Sequence, residues 1–294
     1  MPYAGTFLAG YFKEPFGLEE RTSSNFLTFI ERALPEEALV PAKNVGFMVQ
    51  NTALQDRLTW GAGIFRESEG LRRTKGEAKY NLTGRFGGLP WKEGEDHYLF
   101  LGLAGSLRDP VRDPERGGAK DLRYRAHPEG HLAPYLANTG YIDDADSARL
   151  LSLESAGVWG PFSLQAETIH SWVDSSHGGD PHFWGAYAQA SWFLTGEHRP
   201  FRAGSGGMGR IRPKSPFSPK GGSGAWEAAL RWSRLDLESA HVKGGVLQDW
   251  TLGLNWYLNP NTRLMWNYVF ARLAGGDRPN GWAQLFLMRF QVDF

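Results

Sequence analysis

Three polar stretches of the chain, residues 14–43, 108–147 and 195–223, carry cationic side chains suited to anion binding. Arg123 and Arg125 are two residues apart, so an extended backbone points both guanidinium groups to the same side. The planar arginine fork matches phosphate oxygens, and lysine offers a compact charge. The full set of candidate anion ligands is Lys13, Arg32, Arg123, Arg125, Arg210 and Arg212.

The same cations could instead pair with neighbouring carboxylates and stiffen the polar stretches. Residues 14–43 contain more glutamates than cations, which argues against a purely basic surface there. Residues 195–223 differ, since Glu197 is the single carboxylate among six arginines and lysines. The sequence leaves both roles open for the cations.

A metal centre and a hydrolytic site are less well supported. His170, His177, Asp180 and His182 span a strand end and a Gly-Gly-Asp-Pro turn, which does not match the close ligand spacing of a zinc site. The glycine-rich residues 204–209 have neither the strand-then-helix setting nor the Lys-Ser/Thr of a phosphate loop. No serine and histidine form a nucleophile motif. We therefore predict no metal, no cofactor and no enzymatic activity.

The overall composition favours a membrane protein built from strands. Lys+Arg and Asp+Glu both number 32, a balance that argues against nucleic acid as a partner. No apolar run approaches the ~18 residues of a membrane-spanning helix. The 12 Trp and 10 Tyr suit aromatic girdles at two membrane interfaces. The absence of Cys is compatible with an oxidising envelope.

The last thirteen residues give the clearest strand, because apolar and polar side chains alternate along them. One face is Trp282, Phe286, Met288, Phe290, Val292 and Phe294, and the other includes Arg289, Gln291 and Asp293. An apolar outer face, a polar inner face and a terminal Phe are typical of the closing strand of an outer-membrane β-barrel. A strand of a soluble β-sandwich would alternate in the same way.

Similar alternation recurs along the whole chain and predicts about twelve strands. The segments are 4–13, 44–52, 57–66, 77–87, 95–107, 148–158, 161–174, 181–194, 224–236, 245–258, 261–274 and 281–294. Most approach the ~9–11 residues that a tilted strand needs to cross a bilayer. The predicted fold is all-β, a single antiparallel transmembrane β-barrel over residues 1–294. Residues 119–126 could form a thirteenth strand, but an odd number of strands would put connections 14–43 and 108–147 at opposite ends of the barrel. We therefore predict an even number of strands and assign residues 119–126 to a loop.

A short helix is predicted within the first polar stretch. Ser23 or Ser24 could cap it, and Pro35 would stop it. The apolar residues that follow helical spacing are Phe26, Phe29, Ile30 and Leu34.

Several segments resemble the phosphate-selective porin O and P family. They are KEPFGLEERTSSNFLTFIERAL at 13–34, RYRAHPE at 123–129, WGPFSLQAE at 159–167, WFLTGEHRP at 192–200 and GAWEAALR at 224–231. The resemblance implies a sixteen-stranded barrel, usually a homotrimer, in the outer membrane of a Gram-negative-type bacterium. Residues 1–6 have neither the basic nor the apolar region of a signal peptide. The resemblance therefore implies that this chain lacks that peptide and about four N-terminal strands.

The resemblance also implies a passive channel for small anions, with phosphate or polyphosphate as solute and no cofactor. The family narrows its pore with inward-folded loops, a role that the three polar stretches fit. Arg123 and Arg125 then resemble the family's arginine ladder, in which several weak sites in series let an anion enter and leave. The alternative is a non-conducting structural or binding barrel of the bacterial envelope.

Overall fold

The computed structural model describes residues 5–68, 79–113, 117–120, 122–176 and 179–294, and twelve long strands form one antiparallel sheet. The strands are β1 (Thr6–Lys13), β2 (Lys43–Ala53), β3 (Leu58–Arg66), β4 (Asn81–Lys92), β5 (His97–Arg108), β6 (Ala145–Trp159), β7 (Phe162–Ser175), β8 (His182–Phe193), β9 (Ala225–Ser239), β10 (Val242–Asn259), β11 (Thr262–Ala274) and β12 (Gly281–Val292). Each strand pairs with its neighbours in chain order. The prediction of an all-β antiparallel fold with about twelve strands is confirmed.

The remaining elements are short and lie between the long strands. Two helices, α1 (Leu18–Arg21) and α2 (Leu34–Leu39), and a 3-10 turn at Ser24–Phe26 lie between β1 and β2. The two-residue strands are Arg112–Asp113, Ala119–Lys120, Arg125–Ala126, Ala137–Asn138, Phe201–Arg202 and Gly207–Met208. No helix among the described residues is long and apolar enough to span a membrane.

The twelve-stranded sheet forms the barrel wall and has two edge strands. Within the described residues β1 pairs with β2 alone, and β12 pairs with β11 alone. The edge strands of the described wall are therefore β1 and β12. The outer face of the wall carries the apolar side chains, as alternation predicts.

Aromatic rings bound the apolar outer face at both ends, as β7 and β8 illustrate. Phe162 and Trp192 stack at one end of these strands, with ring centres 5.5 Å apart. Trp172 and Trp184 lie at the other end. The middle positions of this face include Leu164, Ala166, Ala188 and Ala190. An exposed aliphatic band between aromatic rings is the surface that lipid contact requires of a barrel.

The connection between β1 and β2, residues 14–42 and here called L1, lies against the inner face of the wall. The Leu18 amide donates to Oε1 of Glu167 on β7 at 2.7 Å. Further along, Arg263 of β11 donates to the Leu27 carbonyl at 2.7 Å. The Ile30 amide donates to Oδ1 of Asn267 on β11 at 3.0 Å. L1 therefore crosses the enclosed space and bonds to widely separated parts of the wall.

The predicted helix within L1 is wrong. Ser23 does cap a turn, since its hydroxyl accepts from the Asn25 amide at 3.3 Å, but helical structure ends at Phe26. Pro35 lies in the first turn of α2 and so begins a helix instead of ending one. The backbone between these elements bonds to wall side chains, which replace helical hydrogen bonds. The predicted apolar spacing reflects burial, because Phe29 and Leu34 are fully buried.

Two further connections pack inside the wall. L2, residues 109–144, leaves the wall at the same end as L1, as the even strand count predicts. Its Glu129 carboxylate accepts a hydrogen bond from Arg231 of β9 at 2.6 Å. L3, residues 194–224, leaves the opposite end and contacts L1 through Met208, whose amide donates to the Thr22 hydroxyl at 3.0 Å. A methyl group at Gly207 would lie 2.8 Å from the Arg21 carbonyl carbon, so this contact requires glycine.

Candidate anion path

A cavity of about 340 Å³ lies at the end of the wall where L1 and L2 leave it. Its cationic lining residues are Lys43, Arg108, Arg123 and Arg125. Glu67 and Asp109 also line it. Four cations against two carboxylates make this cavity attractive to anions.

Arg123 and Arg125 project from the same side of an extended segment. They are partly exposed, whereas Tyr124 and Ala126 between and after them are buried. In the described part of the chain neither guanidinium has a carboxylate within ion-pair distance. Each instead lies over an aromatic ring, with Arg123 4.5 Å from the centre of Tyr141. The segment thus presents two arginine forks that form no ion pair with the described carboxylates.

Arg108 and Lys43 are the cations that sequence reasoning left out of the site. Arg108 ends β5 and Lys43 begins β2, so both occupy the mouth of the wall. Arg108 pairs with Glu14 at 3.2 Å and also with Glu67. Position at a strand end beside a predicted inward loop is the signal that could have identified them.

Lys13 and Arg32 meet in the interior around one carboxylate. Lys13 Nζ lies 3.2 Å from Oε1 of Glu20, and Arg32 Nε lies 2.9 Å from Oε2. The neighbouring Arg21 is largely buried, and burial together with the Arg85 charge lowers its pKa to about 10. Arg21 donates to the Ser205 carbonyl of L3 at 2.9 Å. Here the predicted cations are paired rather than free.

A second cavity, of about 540 Å³, lies at the opposite end of the wall beside L3. It contains both remaining predicted ligands, Arg210 and Arg212. Arg210 pairs with Asp293 and donates to the Pro260 carbonyl at 2.5 Å, so it also ties L3 to the wall. The other charged or titratable lining residues are Glu95, Glu197, His198, Arg202 and Lys214.

Ion pairs between the inner wall and the loops surround the space between the cavities. On the wall, Arg85 of β4 pairs with Glu154 of β6 at 2.5 Å. The L3 residue Arg199 pairs with Glu227 of β9 at 2.5 Å. All four side chains are buried, and burying one charge without its partner is costly. These pairs give the inner wall a mixed-charge character.

The structure thus places the six predicted ligands in three locations. Arg123 and Arg125 share one cavity, Arg210 and Arg212 share the other, and Lys13 and Arg32 share Glu20. The discounted histidines lie elsewhere. His170 Nδ1 is 3.1 Å from His182 Nε2 beside the outer Trp172 ring, and His177 lies outside the described residues.

Comparison with known proteins agrees with this architecture. A family model described as "Phosphate-selective porin O and P" matches residues 3–294. An uncharacterized protein of Caulobacter vibrioides is 30% identical over 90% of this chain and 54% of its own length. Porin O of Pseudomonas aeruginosa is 26% identical over 92% of this chain and 66% of its own length. The chain therefore spans between about half and two thirds of these relatives.

The match covers the wall strands and all three inner loops. The family is one of channels rather than enzymes, and its members reside in the bacterial outer membrane. The exposed aliphatic band, the aromatic rings at both ends and the cation-lined interior are the features that such a location requires. This chain is an outer-membrane protein that belongs to the phosphate-selective porin O and P family.

Proposed function

We propose that the protein is a passive outer-membrane channel for small anions. The observation that carries the proposal is the pair of cation-lined cavities at opposite ends of one wall, containing Arg123 and Arg125 at one end and Arg210 and Arg212 at the other. An anion that enters either cavity loses part of its hydration shell, and guanidinium donors replace those hydrogen bonds. Transport of this kind needs no cofactor.

Other predicted ligands are already paired. Lys13 and Arg32 are held by Glu20, so they offer less positive potential than free cations would. A passing anion would compete with that carboxylate for their N–H donors. Weak, shared sites of this kind favour release over retention, which conduction requires.

Phosphate is the solute that we propose from the family description, and polyphosphate is a longer anion with the same recognition chemistry. The arginine fork suits both, because both present tetrahedral phosphate oxygens. We also propose a homotrimer as the assembled form and the lipid bilayer as the surroundings of the outer face. The relatives that support these assignments are longer than this chain.

Planar-bilayer recording tests the proposal. The reconstituted protein should give discrete current steps in potassium chloride, and a salt gradient should give a reversal potential of the sign for anions. Added phosphate should reduce the chloride current. Cation selectivity would contradict the proposal. Correctly inserted protein without current would favour the second candidate, a non-conducting structural or binding barrel.

A further inference from the structure

We propose that Glu37, His127 and His131 form a binding site for a divalent transition-metal ion of the Zn²⁺ class. Glu37 belongs to α2 in L1, and both histidines belong to L2. The three side chains each offer one ligand atom, and these atoms lie within 4.8 Å of one another. Bound metal would therefore join two connections that otherwise meet through side-chain contacts.

The two imidazole rings converge on one carboxylate oxygen. His127 Nδ1 lies 2.5 Å from Oε1 of Glu37, and His131 Nε2 lies 3.6 Å from the same oxygen. Ligands of a tetrahedral zinc ion with bonds of ~2.1 Å are about 3.4 Å apart. The observed separations lie on either side of that value, so small side-chain rotations would complete the site. Two imidazoles and one carboxylate form a ligand set that zinc commonly takes.

The neighbouring groups orient these ligands. Glu31 Oε2 lies 3.0 Å from His131 Nδ1, so Nδ1 can donate to this carboxylate while Nε2, which faces Glu37, would bind the ion. The His127 amide donates to Oε2 of Glu37 at 3.2 Å and leaves Oε1 to face both rings. Metal-binding histidines generally have such a carboxylate on the second ring nitrogen.

A fixed turn brings the two histidines together. His127 and His131 are separated by Pro-Glu-Gly, and the middle residue Glu129 has φ 44°. Its carboxylate is buried and accepts from Arg231, Ser233 and Thr251 of the wall. The turn is thus anchored to the barrel, and the two imidazole centres lie 5.0 Å apart. Preorganised ligands reduce the entropy lost on metal binding.

The proposed site is also reachable by solvent. The His131 side chain is 54% exposed, whereas those of His127 and Glu37 are 12% and 15% exposed. An ion could therefore enter along His131 and be enclosed by the other two ligands. The remaining coordination position would be left for water. The proposal concerns metal binding alone and does not rest on conduction.

Metal titration of the purified protein in detergent, after removal of metals by chelation, tests the proposal. Isothermal titration with Zn²⁺ should show one site per chain. His127→Gln, His131→Gln and Glu37→Gln should each weaken that site by more than about 10-fold, and Glu31→Gln by about 10-fold. His170→Gln is the matched control, because His170 and His182 form the outer-face pair. This control should leave the affinity unchanged.

Cobalt provides a second measurement on the unsubstituted protein. Co²⁺ should give the visible absorption of a tetrahedral complex, and one equivalent of Zn²⁺ should remove it. Heat-dependent gel mobility confirms that each variant is folded. The proposal is wrong if the unsubstituted protein shows no Zn²⁺ site. It is also wrong if folded His127→Gln and His131→Gln variants bind as tightly as the unsubstituted protein, or if His170→Gln abolishes the site.

Discussion

The Arg125 guanidinium carbon lies 4.0 Å from the centre of the Tyr135 ring. A cation over an aromatic face is attracted to it, and the flat ring holds the guanidinium plane in place. The donors along the edge of the guanidinium stay available, because the contact uses its face. Tyr135 therefore presents Arg125 as an oriented fork without occupying its hydrogen-bond donors.

Replacing Arg123 and Arg125 together by Ala should weaken phosphate block of the chloride current by roughly 10-fold or more, equivalent to ~1.4 kcal/mol. Replacing both by Lys should weaken it less, because the charge is kept and the fork is lost. Planar-bilayer recording at several phosphate concentrations measures both. Arg149→Ala is the control, since Arg149 pairs with Asp174 on the outer face. Identical block in the Ala pair and the unsubstituted protein would assign the two arginines a structural role.

Neutralising Glu20 should act in the opposite direction. Glu20→Gln removes the carboxylate that pairs with Lys13 and Arg32, so both cations become available to a passing anion. We expect phosphate block to strengthen severalfold, on the order of 1 kcal/mol. Asp96→Asn, at the exposed turn before β5, is the control for loss of one negative charge. Weaker block in a folded Glu20→Gln variant would show that the carboxylate positions these cations for binding.

A charged side chain on the outer face should destabilise the folded protein more when it lies closer to the bilayer centre. Leu103 lies near the middle of β5, opposite Leu153, whereas Leu107 lies near the end, opposite Arg149. Leu103→Arg should cost about 2–4 kcal/mol of folding free energy in lipid, and Leu107→Arg at most about 1. Folding into vesicles across a urea series, followed by gel mobility, measures the difference. Equal cost at the two positions would contradict a bilayer centred on the aliphatic band.

Asn255, which faces the interior, is not a suitable control for charge on this outer face. Asn255 alternates with outer Leu254 and therefore points inward, but it is buried and donates to Thr28 O and Glu227. Arginine there would break two buried hydrogen bonds. Leu107 is the better control for Leu103, because both are about half exposed on the same strand face.

Glu36 should make stability depend on pH. Burial and the Glu167 carboxylate raise the pKa of Glu36, and neither of its oxygens accepts a hydrogen bond from the described residues. The folded protein therefore keeps this proton to higher pH than the unfolded chain, and stability falls as pH rises above about 4. Glu36→Gln should match the unsubstituted protein near pH 4 and be more stable at pH 8, by about 1–3 kcal/mol.

Urea unfolding at the two pH values, followed by tryptophan fluorescence, tests the Glu36 prediction. Glu93→Gln is the control, since Glu93 lies in an exposed turn. A Glu36→Gln variant that is less stable than the unsubstituted protein at pH 8 would show that Glu36 is bound there in its ionised form.

The wall could be predicted from the sequence because alternation is a local property. Predicted segment 161–174 is β7 at Phe162–Ser175, and 281–294 contains β12 at Gly281–Val292. The segment 27–32 could not be predicted this way. Its apolar spacing is helical, yet its backbone bonds to Asn255, Arg263 and Asn267, which lie more than 200 positions away in the chain. Such contacts override local propensity and leave no short-range signal.

The site was partly predictable for the same reason. Arg123 and Arg125 share a side because two-residue spacing determines direction in an extended segment. Nothing in the spacing of Lys13 and Arg32 indicates that both would reach Glu20, since that contact depends on how L1 folds back. The Glu37–His127–His131 cluster likewise joins α2 to a turn that is distant in sequence. The alternation of polar and apolar residues gives no information about such a contact.

The path of L1 across the interior also determines how the molecule opens. Its amides donate to Glu167 on β7 and Asn267 on β11. L1 therefore links β1 and β2 to these distant strands, and the strands between them cannot unfold completely while L1 stays bound. Backbone hydrogen exchange at Leu18 and Ile30 should then be as slow as in the strands themselves, although both residues belong to a connection. L1 and the wall would lose their protection in one cooperative opening, and the loop would behave as part of the core.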